Sequence, residues 1–308
     1  MSARLSAPTT VRAAELKIDL LRQGSLAKRP AVEELMREAN VTFEETAFIG
    51  DDIVDLGVMK RVGLGIAVAE GQGSPVAAAE LTWALVLAAM RRLPQYIATL
   101  KHGGWQQSGL KSLSMPPNFG IGMVLKGRTL GIWGYGKVGQ LVAGYGRAFG
   151  MQVQVWGSEA SRARAVADGY QAAESRNTLF ATSDVLTLHL RLVPETRALV
   201  TAADLARMKP TSLFVNTSRA ELVEEGALVA GLNRGRPGMA AVDVFESEPI
   251  LQGHPLLRLE NAVCTPHIGY VEQDSYELYF SAAFDNVINF IRNEPTHIVN
   301  PDALKVMR

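Results

Sequence analysis

The stretch TLGIWGYGKVGQLVAGYGRAFG, residues 129–150, decides the fold of this chain. An apolar strand pattern runs directly into glycines with the spacing Gly-x-Gly-x-x-Gly, and a helical pattern follows them. The first glycine permits a sharp turn, the second lets the backbone approach a pyrophosphate, and the third lets the helix pack closely on the strand. The first N–H groups of that helix attract phosphate. The stretch therefore predicts a dinucleotide site formed by Gly134, Gly136, Lys137, Val138 and Gly139.

Short apolar strands alternate with helical patterns along most of the chain. This alternation predicts parallel sheets that are covered by helices on both faces. We therefore predict an α/β fold with a Rossmann-type doubly wound parallel sheet and a short α/β first domain. The predicted strands lie at 18–22, 46–50, 64–69, 129–134, 152–156, 184–190, 211–217, 238–244 and 261–265.

A cluster of chain-breaking residues divides the chain. Residues 70–75 read EGQGSP, and an apolar helical pattern follows over residues 76–96. Residues 102–128 are rich in Gly, Pro and Ser and predict a linker or excursion. We expect a first domain over 1–75, completed by residues 285–308, and a dinucleotide-binding domain over 76–284.

The charge and cysteine content restrict the classes of partner. The chain has 31 basic and 31 acidic residues, and this balance argues against a broad nucleic-acid or anionic-membrane surface. The longest apolar stretch, residues 81–90, is too short to span a bilayer. Cys264 is the only cysteine, which excludes an internal disulfide and fits a reducing compartment. We therefore expect a cytoplasmic protein that binds neither nucleic acid nor membrane.

The residues that follow the second strand of the dinucleotide unit leave the cofactor open between NAD and NADP. Rossmann folds that bind NAD usually carry an acid there, which holds the ribose hydroxyls. Gly157 and Ser158 occupy this position, and Arg162 and Arg164 follow closely. Without the acid a 2′-phosphate is not repelled, and the nearby Arg162 and Arg164 could pair with it. Alternatively, both arginines belong to a solvated helix face.

Three side chains suited to one reaction follow predicted strands, where open α/β sheets bind ligands. Arg219 can bind a carboxylate through two parallel hydrogen bonds. His267 can accept or return a proton near neutral pH, and Glu248 beside it would fix its tautomer. Together they suit hydride transfer on a 2-hydroxy acid. Singly, each also has a structural explanation: Arg219 as a salt bridge at a helix N-terminus, His267 as a capped turn and Glu248 as a loop acid.

These motifs resemble the D-isomer-specific 2-hydroxyacid dehydrogenases, the family that includes D-3-phosphoglycerate dehydrogenase. The resemblance covers residues 73–301. The motifs that carry it, in order, are LGIWGYGKVG, LHLRLVPETRALV, MKPTSLFVNTSRAELVEEGAL, AAVDVFESEP and TPHIGY.

The resemblance implies a role for each residue. Arg219 would bind the substrate carboxylate and polarise its carbonyl, Glu248 would orient His267, and His267 would be the acid/base beside the nicotinamide. Asp243 lies where the family holds the nicotinamide carboxamide, and Thr217 is a further cofactor contact. The resemblance also implies NAD or NADP as cofactor, a 2-hydroxy or 2-keto acid as substrate, and a homodimer through the helix at 76–96.

The front of the chain departs from that family. Residues 11–70 resemble the carboxyl half of a haloacid-dehalogenase-type phosphatase, through LAKRPAVEELM and IGDDIVDLGVMKRVGLGIAVAE. Lys28 lies at that family's phosphate-lysine position, and Asp51 and Asp52 lie at its magnesium position. The nucleophile motif Asp-x-Asp is absent, so we expect neither phosphatase activity nor a metal. The two acids are most simply explained as the start of a helix, where they complement its dipole.

Three functions therefore remain in order of preference. The first is an NAD(P)-dependent 2-hydroxyacid dehydrogenase. The second is a chimeric scaffold that binds dinucleotide with little turnover, because the family's substrate-binding glycine loop is not found at the front. The third is a phosphatase-like magnesium binder.

Overall fold

The computed structural model describes residues 28–42, 47–48, 64–65, 73–103, 105 and 121–298. The chain divides into two compact units, one of residues 73–278 and the other of residues 1–72 with 279–308. The predicted strand at 18–22 and the Asp51-Asp52 turn lie outside the described residues.

The described front of the chain contains α1 (Lys28–Ala39) and two short strands, β1 (Ala47–Phe48) and β2 (Leu64–Gly65). The two strands pair in parallel and overlap the strands that were predicted at 46–50 and 64–69. Within the described residues, no group of three or more His, Cys, Asp or Glu side chains could hold a metal ion.

The larger unit is built on a parallel sheet of seven strands. They are β3 (Thr129–Trp133), β4 (Gln152–Trp156), β5 (Gln171–Ala172), β6 (Val185–Leu188), β7 (Leu213–Asn216), β8 (Met239–Val242) and β9 (Ala262–Cys264). Their order in the sheet is β5-β4-β3-β6-β7-β8-β9. The strand order reverses between β3 and β6, as in Rossmann folds, and this point is where such sheets bind ligands.

Helices connect the strands, as parallel pairing requires. They are α2 (Pro75–Met90), α3 (Leu93–Lys101), α4 (Lys137–Ala148), α5 (Glu159–Ala167), α6 (Arg176–Thr182), α7 (Ala202–Arg207) and α8 (Ala227–Asn233), and α9 (Gln273–Ile291) follows the last strand. Short 3-10 helices span Pro194–Thr196, Ala220–Leu222 and Pro255–Arg258. None of the helices in the described ranges is long and apolar enough to cross a bilayer.

Two apolar clusters cover the two faces of the sheet. Successive strand residues point to opposite faces, and in β7 Leu213 and Val215 belong to one cluster while Phe214 belongs to the other. The sheet is therefore covered on both sides, and this confirms the predicted doubly wound α/β fold. The six strands predicted for this sheet lie within two residues of the observed strands, and only β5 was not predicted.

The single helix predicted over 76–96 is wrong, because α2 ends at Met90 and α3 begins at Leu93. Arg92 between them has a left-handed backbone, with φ of 58°. In a continuous helix the ring of Pro94 would clash with the carbonyl of Met90. The break frees that carbonyl, which accepts a hydrogen bond of 2.7 Å from the N–H of Met123.

Candidate active site

The glycine turn between β3 and α4 can admit a pyrophosphate. Gly134 has φ of 104°, and a Cβ there would lie 2.2 Å from the carbonyl oxygen of His189. A Cβ at Gly139 would lie 2.2 Å from the carbonyl oxygen of Gly134. A Cβ at Gly136 would meet nothing within 4 Å. The first and third glycines are thus required by packing, whereas the second faces open space, which fits the approach of a cofactor.

The start of α4 offers hydrogen-bond donors at this turn. Gly136 is the N-cap residue and has no side chain to satisfy the first N–H groups of the helix. Lys137 and Val138 form the first turn, where the helix dipole favours an anion. The turn and the helix start therefore fit the phosphates of a dinucleotide.

His189 lies behind this turn at the end of β6. Its Nε2 is 3.1 Å from Oγ1 of Thr187, and the backbone N–H of His189 donates to the carbonyl of Trp133. Burial lowers the pKa of His189 to about 4, so the ring is neutral near pH 7. His189 was not predicted from the sequence as part of the site.

The residues after β4 lie beside the same turn. The carbonyl of Trp156 accepts a hydrogen bond of 2.9 Å from the N–H of Gly134. Ser158 is the N-cap of α5, and its Oγ accepts from the N–H of Ser161 at 3.3 Å. The guanidinium of Arg162 lies 4.7 Å above the Trp156 ring. Gly157 and Ser158 thus leave the usual position of the ribose-binding acid without a charge.

Arg162 and Arg164 differ in their environment. Arg164 is exposed on α5, as the solvated-face alternative predicts. Arg162 is half-buried against Trp156, and within the described part of the chain its Nε is buried without a hydrogen-bond partner. Only Arg162 is therefore held toward the end of β4, where a 2′-phosphate would lie.

His267 and Glu248 are in direct contact. The Nδ1 atom of His267 is 2.6 Å from Oε2 of Glu248, and Oε1 of Glu248 accepts from the N–H of Phe245 at 3.1 Å. The carboxylate accepts the Nδ1 proton, which leaves Nε2 as the nitrogen that can take up or return a proton. The two side chains predicted to act as a pair are therefore within hydrogen-bonding distance.

Asp243 holds the turn that carries His267. Its carboxylate is fully buried and accepts a hydrogen bond of 2.6 Å from the hydroxyl of Thr265. It also accepts bonds of 2.9 Å from the N–H groups of Ile268 and Gly269. Thr265 was missed by the sequence analysis, although its position just before Pro266-His267 was a usable signal.

Arg219 projects from the loop after β7. Asn216 orders this loop, because its Nδ2 donates to the carbonyl of Arg219 and its Oδ1 accepts from the N–H of Ser218. Nη1 of Arg219 donates to the carbonyl of Ser218 at 2.6 Å. Within the described ranges no carboxylate forms an ion pair with this exposed arginine, so its other donors remain available to a ligand.

The sheet brings the predicted groups to the same end of its strands. The pairing aligns Asn216 with Val242 and Val242 with Cys264, so the loops that carry Arg219, Asp243 and His267 leave adjacent strands at the same end. Helix α2 reaches this end of the strands as well. Thr82 is fully buried, and its hydroxyl is 2.7 Å from the hydroxyl of Thr217.

A known family matches the part of the chain that carries these residues. The family described as D-isomer specific 2-hydroxyacid dehydrogenase, NAD binding domain, matches residues 83–269. The chain belongs to this dehydrogenase family. Membership confirms the predicted oxidoreductase class and NAD(P) as the cofactor.

Relatives of this dehydrogenase include enzymes with different substrates. It is 36% identical to a glyoxylate reductase of Aeropyrum pernix over 84% of this chain and 76% of that one. It is 32% identical to a D-3-phosphoglycerate dehydrogenase of Methanocaldococcus jannaschii over 89% of this chain, and it spans half of that relative's length. A Ralstonia solanacearum structure described as a D-3-phosphoglycerate dehydrogenase oxidoreductase is 64% identical, with a TM-score of 0.77 over 85% of this chain and 77% of that one.

The front of this dehydrogenase matches a second family. The haloacid dehalogenase-like hydrolases match residues 4–84, which end where the dehydrogenase match begins. This confirms the predicted resemblance of the front segment to the haloacid-dehalogenase type and the chimera-like composition of the chain.

Proposed function

We propose that this chain reduces a small 2-keto acid, with Arg219 and His267 contacting the substrate and Glu248 orienting His267. The observation that carries the proposal is the 2.6 Å contact between His267 and Glu248 beside the dinucleotide-binding sheet. A bound nicotinamide supplies the hydride that reduces the keto carbon. Glyoxylate and hydroxypyruvate are the first substrates to test, because relatives are named for reducing them.

Arg219 binds the substrate through its carboxylate. A guanidinium matches a carboxylate through two parallel N–H donors, and one more donor beside the keto oxygen would stabilise the negative charge that develops there. The exposed position of Arg219 and the order that Asn216 imposes on its loop both suit this role.

His267 supplies the proton. As hydride reaches the carbon, the keto oxygen gains negative charge and takes the proton from Nε2 of His267. Glu248 accepts the Nδ1 proton in a hydrogen bond and stabilises the protonated ring before the transfer. Oxidation of the 2-hydroxy acid follows the same path in reverse, with His267 as the base.

The cofactor preference in this proposal is for NADP. Gly157 and Ser158 introduce no negative charge at the end of β4, and Arg162 lies over Trp156 at the start of α5. A 2′-phosphate would meet Arg162 and the first N–H groups of α5 instead of an acid. Glu159 is the acid in the first turn of that helix, and it is exposed.

The assembly in this proposal is a cytoplasmic homodimer that uses α2 and α3. Seven of the 16 residues of α2 are buried, among them Trp83 and Val86. Helix α3 instead exposes Leu93, Ile97 and Leu100, which share one face at helical spacing. Light scattering should give twice the chain mass for the wild type and the chain mass for the Ile97→Asp variant.

A second candidate function is dinucleotide binding with little turnover. The hydrolase match over residues 4–84 favours it, because members of the dehydrogenase family use a glycine-rich loop in their first domain to hold the substrate carboxylate. A compatible fold does not bring a binding loop with it. In this case Arg219 is the main anchor for the substrate.

Steady-state reduction of glyoxylate and hydroxypyruvate tests the proposal. His267→Gln and Glu248→Gln should each lower kcat by about 10²–10⁴-fold, the usual contribution of general acid–base catalysis. His254→Gln is the matched control, because it removes another His–Glu contact, 3.5 Å to Glu246, in the same unit. A His267→Gln enzyme with the kcat of the wild type would remove His267 from the mechanism.

A further inference from the structure

We propose that Asp243 and Thr265 form a positioning clamp that holds His267 in its proton-transferring orientation. The inference rests on the proposed role of His267 as the acid/base. Within this unit Asp243 is the buried carboxylate that accepts hydrogen bonds from residues on both sides of His267. We call Asp243 and Thr265 the Asp243 clamp.

The clamp brackets one residue with an unfavourable backbone. His267 has φ of 54°, in the left-handed region that residues with a Cβ rarely adopt. Such a conformation persists only where the surrounding structure over-determines it. Here the Asp243 carboxylate accepts hydrogen bonds from the Thr265 hydroxyl before His267 and from the N–H groups of Ile268 and Gly269 after it.

Each oxygen of Asp243 has a distinct part in the clamp. Oδ1 accepts from the Thr265 hydroxyl and the Ile268 N–H, and Oδ2 accepts from the Gly269 N–H. A carboxylate can accept about four hydrogen bonds, so one acceptor position on Oδ2 remains. Because Asp243 is fully buried, its carboxylate acts on the turn through these three hydrogen bonds.

The consequence for catalysis is geometric. The left-handed turn sets the direction of the His267 ring, and the 2.6 Å contact with Glu248 fixes the rotation of the ring about that direction. If the clamp loosens, the ring can leave Glu248 and Nε2 loses its alignment with the substrate. A misplacement of about 1 Å costs on the order of 10²-fold in rate, so the clamp affects kcat more than KM.

Position 265 offers a matched pair of variants. Thr265→Val has nearly the same shape and removes the hydroxyl, whereas Thr265→Ser retains it. We expect Thr265→Val to lower kcat about tenfold, because a partial misplacement of the His267 ring costs less than the loss of about 10²-fold for a full one. The KM for both substrates should stay within about threefold of the wild-type value. Thr265→Ser should keep most of the wild-type kcat. Asp243→Asn should lower kcat by about 10²-fold, because its amide NH₂ would face an N–H donor.

Proton NMR of the histidine rings tests the clamp in the absence of turnover. The Nδ1 proton shared with Glu248 should give a downfield resonance that disappears in His267→Gln. In Thr265→Val this resonance should shift or broaden, and in Thr265→Ser it should match the wild type.

Two results would overturn the clamp. One is a Thr265→Val protein with the resonance and kcat of the wild type. The other is a loss of kcat with an unchanged resonance, which would assign Thr265 to another step. If His267→Gln itself keeps full kcat, the proposed function fails, while the resonance still tells whether the clamp holds the ring.

Discussion

A single substitution at Ser158 tests the origin of the proposed cofactor preference. Ser158 caps α5, with φ of −59° and ψ of 160° and with its Oγ accepting from the N–H of Ser161. Aspartate and asparagine cap helices about as well as serine. Ser158→Asp therefore adds a negative charge beside the ribose position without removing the cap. Gly157 is a poorer place for the acid, because its φ of 157° would strain any residue with a Cβ.

The size of the effect follows from the charge that a 2′-phosphate carries. Two unit charges 4 Å apart interact by about 4 kcal/mol near a protein surface. Ser158 is exposed, so salt screens part of this energy. A remaining loss of about 1.4 kcal/mol corresponds to a tenfold weaker affinity for NADPH. The affinity for NADH should stay the same or rise, because an acid can accept bonds from the ribose hydroxyls.

Isothermal titration with NADPH and NADH at two salt concentrations measures this change. Ser158→Asn is the control, since it has the shape of aspartate and a neutral amide, and it should keep the NADPH affinity of the wild type. The difference between the two variants should shrink at high salt. If Ser158→Asp and Ser158→Asn bind NADPH equally well, the 2′-phosphate does not lie at this position and the charge argument fails.

Three further results are expected. Gly139→Ala should destabilise the fold by about 1–3 kcal/mol, because its Cβ would lie 2.2 Å from the Gly134 carbonyl oxygen. Gly136→Ala should instead keep the melting temperature of the wild type and weaken dinucleotide binding. Equal melting temperatures for the two variants would contradict this expectation. Burial lowers the pKa of His189 from 6.5 to about 4, so the unfolded chain binds the extra proton and stability should fall as the pH is lowered from 6.5 to 4; a His189→Gln protein with the same slope would contradict it. NADPH should raise the melting temperature clearly while turnover of glyoxylate, hydroxypyruvate and D-3-phosphoglycerate stays weak, and a kcat/KM above about 10⁴ M⁻¹s⁻¹ would refute that separation.

The sheet could be predicted because its signal is local. Strands such as Leu213–Asn216 are buried along their whole length, so they read as continuous apolar runs between breakers. Strand Gln171–Ala172 has two exposed residues and no apolar run, and it forms only because Val155 and Gln154 offer it an edge. The predicted helix over 76–96 ran through the break at Arg92, because the ring of Pro94 acts on the carbonyl of Met90, four residues earlier.

The candidate site was predictable only in part. Arg219, Glu248 and His267 each follow a strand, and strand ends can be read from the sequence. Thr82 and Thr217 are 135 residues apart, and their contact arises only when α2 packs on the sheet. The bonds from the His267 turn to Asp243 likewise require the register of β8 and β9. Contacts of this kind depend on tertiary packing and leave no periodic pattern.

The match of two families in one chain is compatible with the general requirements of an α/β layer. A parallel strand pair requires complementary backbone donors and an apolar face for a helix, and many sequences meet that requirement. A substrate loop requires particular N–H groups at particular positions, and a shared architecture alone does not supply them. The dinucleotide turn, the Asp243 clamp and the His267–Glu248 pair all come from residues 73–278. In the proposed function, cofactor binding and proton transfer are therefore properties of one compact unit, and Arg219 of the same unit binds the substrate carboxylate.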